Sequence, residues 1–244
     1  MLVFLINAIK IIFLLGFLVL IHEGGHFIVA KLCKIKVNEF SIGFGPVIWK
    51  SKDTLTQYSL RLVPLGGFVS MEGEEERSEL EGSFSQASII KRIAIVLAGG
   101  IVNIIFGMFV YFVIVILKTD IQSALYYTKE FIFSIFDSMR LLFTGNIGID
   151  QLTGPVGISN IIINTNGLEN YIYMLSLISV SLGVTNLLPF PPLDGGKVVL
   201  LIIEGIRKKP LKEKVEIQIQ MLGFLLLILL SVFVTFNDIT RVVS

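Results

Sequence analysis

Two histidines and a glutamate stand together in HEGGH, residues 22–26, at the end of a long apolar segment. Residues four apart share one face of a helix, so His22 and His26 can bind one metal ion through their imidazole nitrogens. Glu23 can take a proton from a water on that metal, whose pKa zinc lowers to about 7. Ionisable groups are costly beside a membrane span, which favours a metal site over a polar helix end.

Two glycines separate these histidines. Glycine is a poor helix former, so Gly24 and Gly25 are not expected to be there for helix stability. We expect them to let another backbone, for example that of a substrate, approach the metal.

A third metal ligand has to come from elsewhere, because a catalytic zinc site takes three protein ligands and the chain has no third histidine. Cys33 is interpreted as a small buried apolar residue. Asp194 is the main candidate, since it lies in NLLPFPPLDGGK, residues 186–197, where prolines prevent a regular helix. Broken backbone at membrane depth is tolerated only inside protein or along a cavity. Asp194 could instead cap the next helix, and Glu204 is the second candidate ligand.

The composition places the chain among integral membrane proteins. Of 244 residues, 54% are hydrophobic and 16% are charged, and the mean hydropathy is +0.83. Soluble domains average about 25% charged residues. The net charge of +1 gives no indication of nucleic acid binding. The first apolar run exceeds the roughly 7–15 residues of a signal-peptide core, so we expect it to be a retained span.

Four segments reach the roughly 20 apolar residues that a spanning helix needs: residues 2–21, 93–117, 171–193 and 217–236. Lys and Arg concentrate in the loop 31–92 and in the segment after the third span, whereas the loop 118–170 has few. The positive-inside rule then puts the basic loops and HEGGH on the cytoplasmic side, and the N-terminus, loop 118–170 and C-terminus outside.

The first loop has a strand pattern over residues 37–71. Apolar and polar residues alternate between Tyr58 and Leu62, and glycines and prolines mark turns. We expect a small β-sheet or hairpin against the cytoplasmic membrane face. The predicted fold class is therefore an all-α polytopic membrane protein with about four transmembrane helices and this β-element, forming one domain over residues 1–244.

Two other segments have clear patterns. MEGEEERSELEGSF, residues 71–84, is typical of a solvated acidic connector. FIFSIFDSMRLLF, residues 131–143, predicts an amphipathic helix that either rests on the outer membrane surface or packs on the spans.

HEGGH followed by LDG, in this topology, resembles the site-2 protease family of intramembrane zinc metalloproteases, most of all the bacterial regulator-of-sigma-E protease type. The similarity covers nearly the whole chain and includes FSIGFGP at 40–46, PLGGFVSM at 64–71, LAGGIVN at 97–103, LTGPVGI at 152–158 and FNDITR at 236–241. It implies a protein of the bacterial inner membrane. Such a protein would cleave single-span membrane proteins, for example anti-sigma factors or remnant signal peptides, in or near their transmembrane segment.

The resemblance also implies roles for individual residues. Zn²⁺ would be the cofactor, Glu23 the general base, and the zinc ligands would be His22, His26 and Asp194. Asn186, in the NxxPxPxLDG element, would help to hold substrate. Asn103, in LAGGIVN, would have a structural or substrate-facing role.

The chain departs from close relatives in its outer loop. Those relatives carry one or more PDZ domains between the second and third core spans, and residues 118–170 are too few for a domain of about 100 residues. The regulatory partner is open. The alternative function is a membrane metal-binding or zinc-transport protein using the same ligands. That alternative gives Glu23 no task, and the second, third and fourth spans carry no charged residue along which an ion could pass.

Overall fold

The computed structural model describes residues 2–52, 55–146, 148 and 152–243, so residues 147 and 149–151 of the predicted outer loop lie outside the described part. The described chain is mostly helical, with one two-stranded sheet. Its elements, in chain order, are α1 (Leu2–Leu32), β1 (Val37–Lys52), β2 (Gln57–Met71), α2 (Ile89–Ile116), α3 (Ile121–Phe143), α4 (Pro155–Asn164), α5 (Leu168–Asn186), α6 (Asp194–Arg207) and α7 (Glu213–Val243).

Three of the described helices are long and apolar enough to cross a membrane, and these stretches are Leu5–Leu32, Ile89–Ile116 and Glu213–Thr240. The third predicted span is shorter than expected. Its helix, α5, ends at Asn186, and the chain then turns through residues 187–193 before α6 begins. The predicted end at residue 193 is therefore wrong, because the proline-rich segment cannot continue the helix. The count of four spans stays a prediction.

Glycines bring the backbones of three helices into contact. A Cβ on Gly25 of α1 would lie 2.7 Å from the carbonyl oxygen of Ala98 in α2. A Cβ on Gly183 of α5 would lie 2.5 Å from the carbonyl oxygen of Gly100, also in α2. Small residues at such crossings are how helices approach closely in lipid. As a result, α2 packs directly against both α1 and α5.

The predicted β-hairpin is present, and it extends along the first helix. β1 and β2 pair antiparallel, with a bend at Gly43, where φ is 87° and glycine is favoured. A Cβ on Gly16 of α1 would lie 2.7 Å from the carbonyl oxygen of Pro64 near this bend. From there β2 continues to Met71, which shares a buried cluster with Ala30 of α1. The hairpin thus runs beside α1, and its position against the cytoplasmic membrane face stays a prediction.

Helix α3 packs on the other helices. The ring of Phe131 stacks on Tyr111 of α2, with a centroid distance of 4.1 Å. Ile135 shares a buried cluster with Val180 of α5. Of the two positions considered for this amphipathic segment, these contacts favour packing against the spans.

A carboxylate from α7 holds the start of α4. Asp238 is 2% exposed. Its Oδ2 accepts hydrogen bonds from the backbone N–H of Gly154, at 3.0 Å, and of Gly157, at 2.8 Å. The first N–H groups of a helix lack partners within the helix and carry partial positive charge, so a carboxylate there satisfies both needs. The LTGPVGI and FNDITR segments therefore form one structural contact.

We expect Asp238→Asn to lower the thermal unfolding temperature of the purified protein in detergent. The buried hydrogen bonds to a charged group would be weakened, which costs about 1–3 kcal/mol. Asp137→Asn is the matched control, because Asp137 is exposed on α3. An equal shift in both variants would contradict the assignment of this contact to stability.

Candidate active site

One turn of α1 brings its two histidines together. The Nε2 atoms of His22 and His26 lie 3.2 Å apart. The Nδ1 of His26 lies 2.8 Å from the carbonyl oxygen of Ile95 in α2. A carbonyl can only accept, so Nδ1 of His26 carries the proton and its Nε2 presents a lone pair toward His22.

The third predicted ligand arrives from the broken segment after α5. Helix α6 begins at Asp194, and the preceding residue, Leu193, is its N-cap, so Asp194 is not the cap that we considered as an alternative. A Cβ on Gly195 would lie 2.3 Å from the carbonyl oxygens of Leu187 and Leu188. Glycine at this position allows the segment to fold back tightly, which turns the Asp194 carboxylate toward α1.

The three side chains form a group that fits a metal ion. Oδ2 of Asp194 lies 3.0 Å from Nε2 of His22 and 3.4 Å from Nε2 of His26. Ligand atoms bound to tetrahedral zinc at about 2.0–2.1 Å are about 3.3 Å apart. Asp194 Oδ2 is also buried without a hydrogen-bond partner in the described residues. A buried carboxylate oxygen facing imidazole lone pairs is unfavourable unless a cation joins them.

A glycine of α2 keeps the space around this group open. A Cβ on Gly99 would lie 2.4 Å from Nε2 of His26 and 2.7 Å from Nε2 of His22. The glycines of HEGGH differ from each other: Gly25 admits the backbone of α2, whereas Gly24 has nothing within 4 Å. We had expected the glycines of HEGGH to let another backbone approach the metal. For Gly25, that backbone is the one of α2.

Glu23 lines the same cavity as the three candidate ligands. This cavity has a volume of about 440 Å³ and is bounded on one side by residues 68–71 of β2. A Cβ on Gly67 would lie 3.7 Å from Cγ of Glu23, so β2 passes directly beside the glutamate. The structure therefore brings the proposed base, the candidate ligands and one strand together.

Both predicted asparagines lie near His22. The side-chain Nδ2 of Asn103 in α2 and that of Asn186 at the end of α5 are each 3.5 Å from Nδ1 of His22. Asn103 is completely buried, which fits the structural role among its two alternatives and not the substrate-facing one. Asn186 is only partly buried.

The second candidate ligand, Glu204, is engaged elsewhere. It forms a partly buried ion pair with Arg92 at the start of α2, and ten residues of helix separate it from Asp194, about 15 Å along the axis. It does not belong to the His-His-Asp group of the described residues.

An ion pair at the cavity was not foreseen from the sequence. Nζ of Lys197 lies 3.0 Å from Oε1 of Glu74, in the segment read as a solvated acidic connector. Burial lowers the pKa of Lys197, but Glu74 and then Asp194 more than compensate, so that pKa lies above its usual value. Gly99 and the carbonyl of Ile95 were also not predicted, since neither carries a chemical signal in sequence.

Comparisons with known proteins agree with this site. The model of peptidase family M50 matches residues 10–230. A zinc metalloprotease of Clostridium acetobutylicum is 27% identical over 329 aligned positions, covering 96% of this chain and 97% of the relative. A zinc metalloprotease of Helicobacter pylori is 24% identical over 343 positions, which cover 94% of this chain and 98% of the relative. Zinc metalloprotease RasP of Shouchella clausii is 45% identical over 113 positions, which cover 46% of this chain and 27% of the relative.

These comparisons confirm two predictions, the zinc cofactor and the resemblance to site-2 proteases. Zinc as the cofactor agrees with the names of the relatives and with the His-His-Asp group. The family match covers most of the chain and includes the segments whose motifs resembled site-2 proteases, except FNDITR at 236–241. The chain therefore belongs to peptidase family M50, the site-2 protease family of zinc metalloproteases.

Proposed function

We propose that this chain is an intramembrane zinc endopeptidase that hydrolyses a peptide bond in or near the transmembrane segment of single-span membrane proteins. The observation that carries the proposal is the cavity lined by His22, Glu23, His26 and Asp194. Two of the walls of this cavity belong to helices that are long and apolar enough to span a membrane. A hydrolytic site in such helices suits a substrate that is itself a membrane span.

The chemistry is divided between the metal and Glu23. Zinc held by His22, His26 and Asp194 would supply a water of pKa about 7 and would polarise the scissile carbonyl. Glu23 takes the proton of the attacking water, because it lines the cavity next to these ligands. It then gives that proton to the leaving amine, which is the ordinary sequence for a general base that becomes a general acid.

The strand beside the cavity is suited to hold an extended substrate. In the described chain, residues 67–71 pair with residues 37–42 and with no other strand segment, while Phe68, Val69, Ser70 and Met71 face the cavity. An extended peptide can add to such a free edge through main-chain hydrogen bonds. We propose that Asn186, which is partly buried and has its Nδ2 3.5 Å from Nδ1 of His22, helps to hold the substrate.

We expect substrates with Gly, Pro, Ser or Asn near the cut to be cleaved faster than those with an uninterrupted Leu-rich span. To reach an extended form, the substrate helix has to break backbone hydrogen bonds, which costs several kcal/mol per group in an apolar medium. The measurement is the initial cleavage rate for a matched pair of labelled single-span peptides. Equal rates would contradict a mechanism that requires local unwinding.

The proposed location is the bacterial inner membrane, with the active site toward the cytoplasm and both termini outside. The distribution of Lys and Arg supports this orientation. The Clostridium acetobutylicum relative aligns over 329 positions, more than the 244 residues of this chain, so it carries residues without a counterpart here. We propose that residues 118–170 stand in place of a PDZ domain and that this chain selects substrates by size less strictly, or leaves that selection to a partner.

The test of the function is cleavage of a labelled single-span substrate by the purified protein in detergent, with the products mapped by mass spectrometry. A cut within or beside the span, abolished by a chelator and restored by zinc, supports the proposal. Zinc transfer across proteoliposomes without cleavage would favour the alternative, a transport or metal-binding protein. Rejection of substrates with an intact outer domain, in the absence of any partner, would contradict the relaxed size selection.

A further inference from the structure

The side-chain amide of Asn103 has one atom without a hydrogen-bond partner, and this atom bears on how the amide is oriented. Asn103 is 0% exposed, and its Oδ1 is buried with no hydrogen-bond partner in the described residues. Its Nδ2 faces Nδ1 of His22 at 3.5 Å. The oxygen and nitrogen of a carboxamide differ only by a half-turn of the group, and the hydrogen-bond network decides between them.

The chemistry of His22 requires the other orientation. If Nε2 of His22 binds zinc, its proton must sit on Nδ1 and needs an acceptor. Turning the Asn103 carboxamide by half a turn places Oδ1 toward that N–H, so that Oδ1 accepts its hydrogen bond, and Nδ2 takes the position where Oδ1 has no partner. His26 already has the equivalent arrangement, because its Nδ1 donates to the carbonyl oxygen of Ile95.

Asn103 is better suited to this task than Asn186. Both are 3.5 Å from Nδ1 of His22, but this nitrogen carries one proton. Asn186 is partly exposed, where water can satisfy its amide. Asn103 has no such access, and its backbone carbonyl accepts a hydrogen bond from Ser179 of α5 at 2.8 Å, which fixes its position between α2 and α5.

We propose that Asn103 is a positioning residue that accepts the Nδ1–H of His22 through Oδ1 and thereby aims Nε2 of His22 at the metal. This inference rests on the proposed metal site. It gives the two asparagines different roles: Asn103 holds the ligand His22, and Asn186 keeps its predicted role in holding substrate. Gly99 and Asn103 lie one turn apart on α2. The same face of this helix therefore leaves space beside Nε2 of His22 and accepts a hydrogen bond from its Nδ1.

The first test measures zinc affinity by competition with a chelator. Asn103→Leu removes the acceptor at similar volume, and we expect zinc to bind about 10–100-fold more weakly, as for other partners of metal-bound histidines. Asn103→Asp keeps an acceptor oxygen, and its zinc affinity is expected to stay close to wild type. Asn186→Leu is the matched control and should also retain zinc.

Unchanged zinc affinity in Asn103→Leu would overturn the proposal. So would an equal loss in Asn103→Asp when this variant unfolds at the wild-type temperature, because the amide N–H would then be the group that matters. If no variant and no wild-type protein binds zinc, the proposed function itself fails, which is a different outcome.

A second test needs no variant. The chain has only two histidines, so zinc-loaded protein labelled with ¹⁵N-histidine gives two rings to assign by NMR. We expect a Nδ1–H of His22 that is protected from solvent exchange and close to no amide proton of Asn103. A rapidly exchanging Nδ1–H, or a short distance from it to the Asn103 amide protons, would overturn the proposal even if the Asn103 variants failed to fold.

Discussion

Glu23→Gln is expected to reduce hydrolysis of a single-span substrate by about 10²–10⁴-fold, the usual contribution of a general acid–base group. Glutamine has the shape of glutamate but cannot take a proton, so substrate binding is expected to remain. Zinc content should also remain at wild-type level, because the His-His-Asp group does not include Glu23. Single-turnover cleavage and zinc analysis of the same preparation provide both readings.

Two controls give this result its meaning. Cleavage by the wild type has to disappear with a chelator, which excludes a contaminating metal-independent protease. Equal cleavage by wild type and Glu23→Gln would mean that Glu23 is not the base. Loss of zinc in the variant would instead mean that the glutamate maintains the site rather than transferring protons.

The second large effect is expected from adding one methyl group. The Cβ of Gly99→Ala would lie 2.4 Å from Nε2 of His26, inside the space that the ligand atoms need. A shift of the helices to relieve this clash is opposed by the close packing of α1 on α2. We expect zinc affinity to fall by at least about 100-fold, the upper end of what changes around metal ligands cost.

Gly24→Ala is the matched control for Gly99→Ala. It adds the same methyl group within HEGGH, but nothing lies within 4 Å of that position. Its zinc affinity, measured by chelator competition, should equal that of the wild type. Retention of zinc by Gly99→Ala, or loss of zinc in both variants, would contradict the placement of the ligands against α2.

The main features could be predicted because each has a local cause. The spacing of His22 and His26 follows from helix geometry, and the prolines before Asp194 announce a break in the third span. The β-hairpin follows from strand alternation and turn residues. These signals involve neighbours in sequence, so no knowledge of the packing was needed to interpret them.

Other features depend on packing and could not be predicted in the same way. The path of the hairpin along α1 and the position of α3 on α2 depend on which surfaces meet. Gly99 and the carbonyl of Ile95 gain their importance only when α2 reaches α1. In the sequence, Glu74 is one of several acidic residues of a predicted solvated loop. Its ion pair with Lys197 depends on the fold.

The backbone contacts of α2 with α1 and α5 have a mechanical consequence. Where side chains lie between two helices, they can change rotamer and let the helices slide. Where the backbones touch, no side chains lie between them that could adjust in this way. We expect these three helices to move as a rigid frame during turnover. We expect a substrate that enters laterally to displace an element outside this frame, and α7 is such an element, although Asp238 ties its C-terminal part to the start of α4.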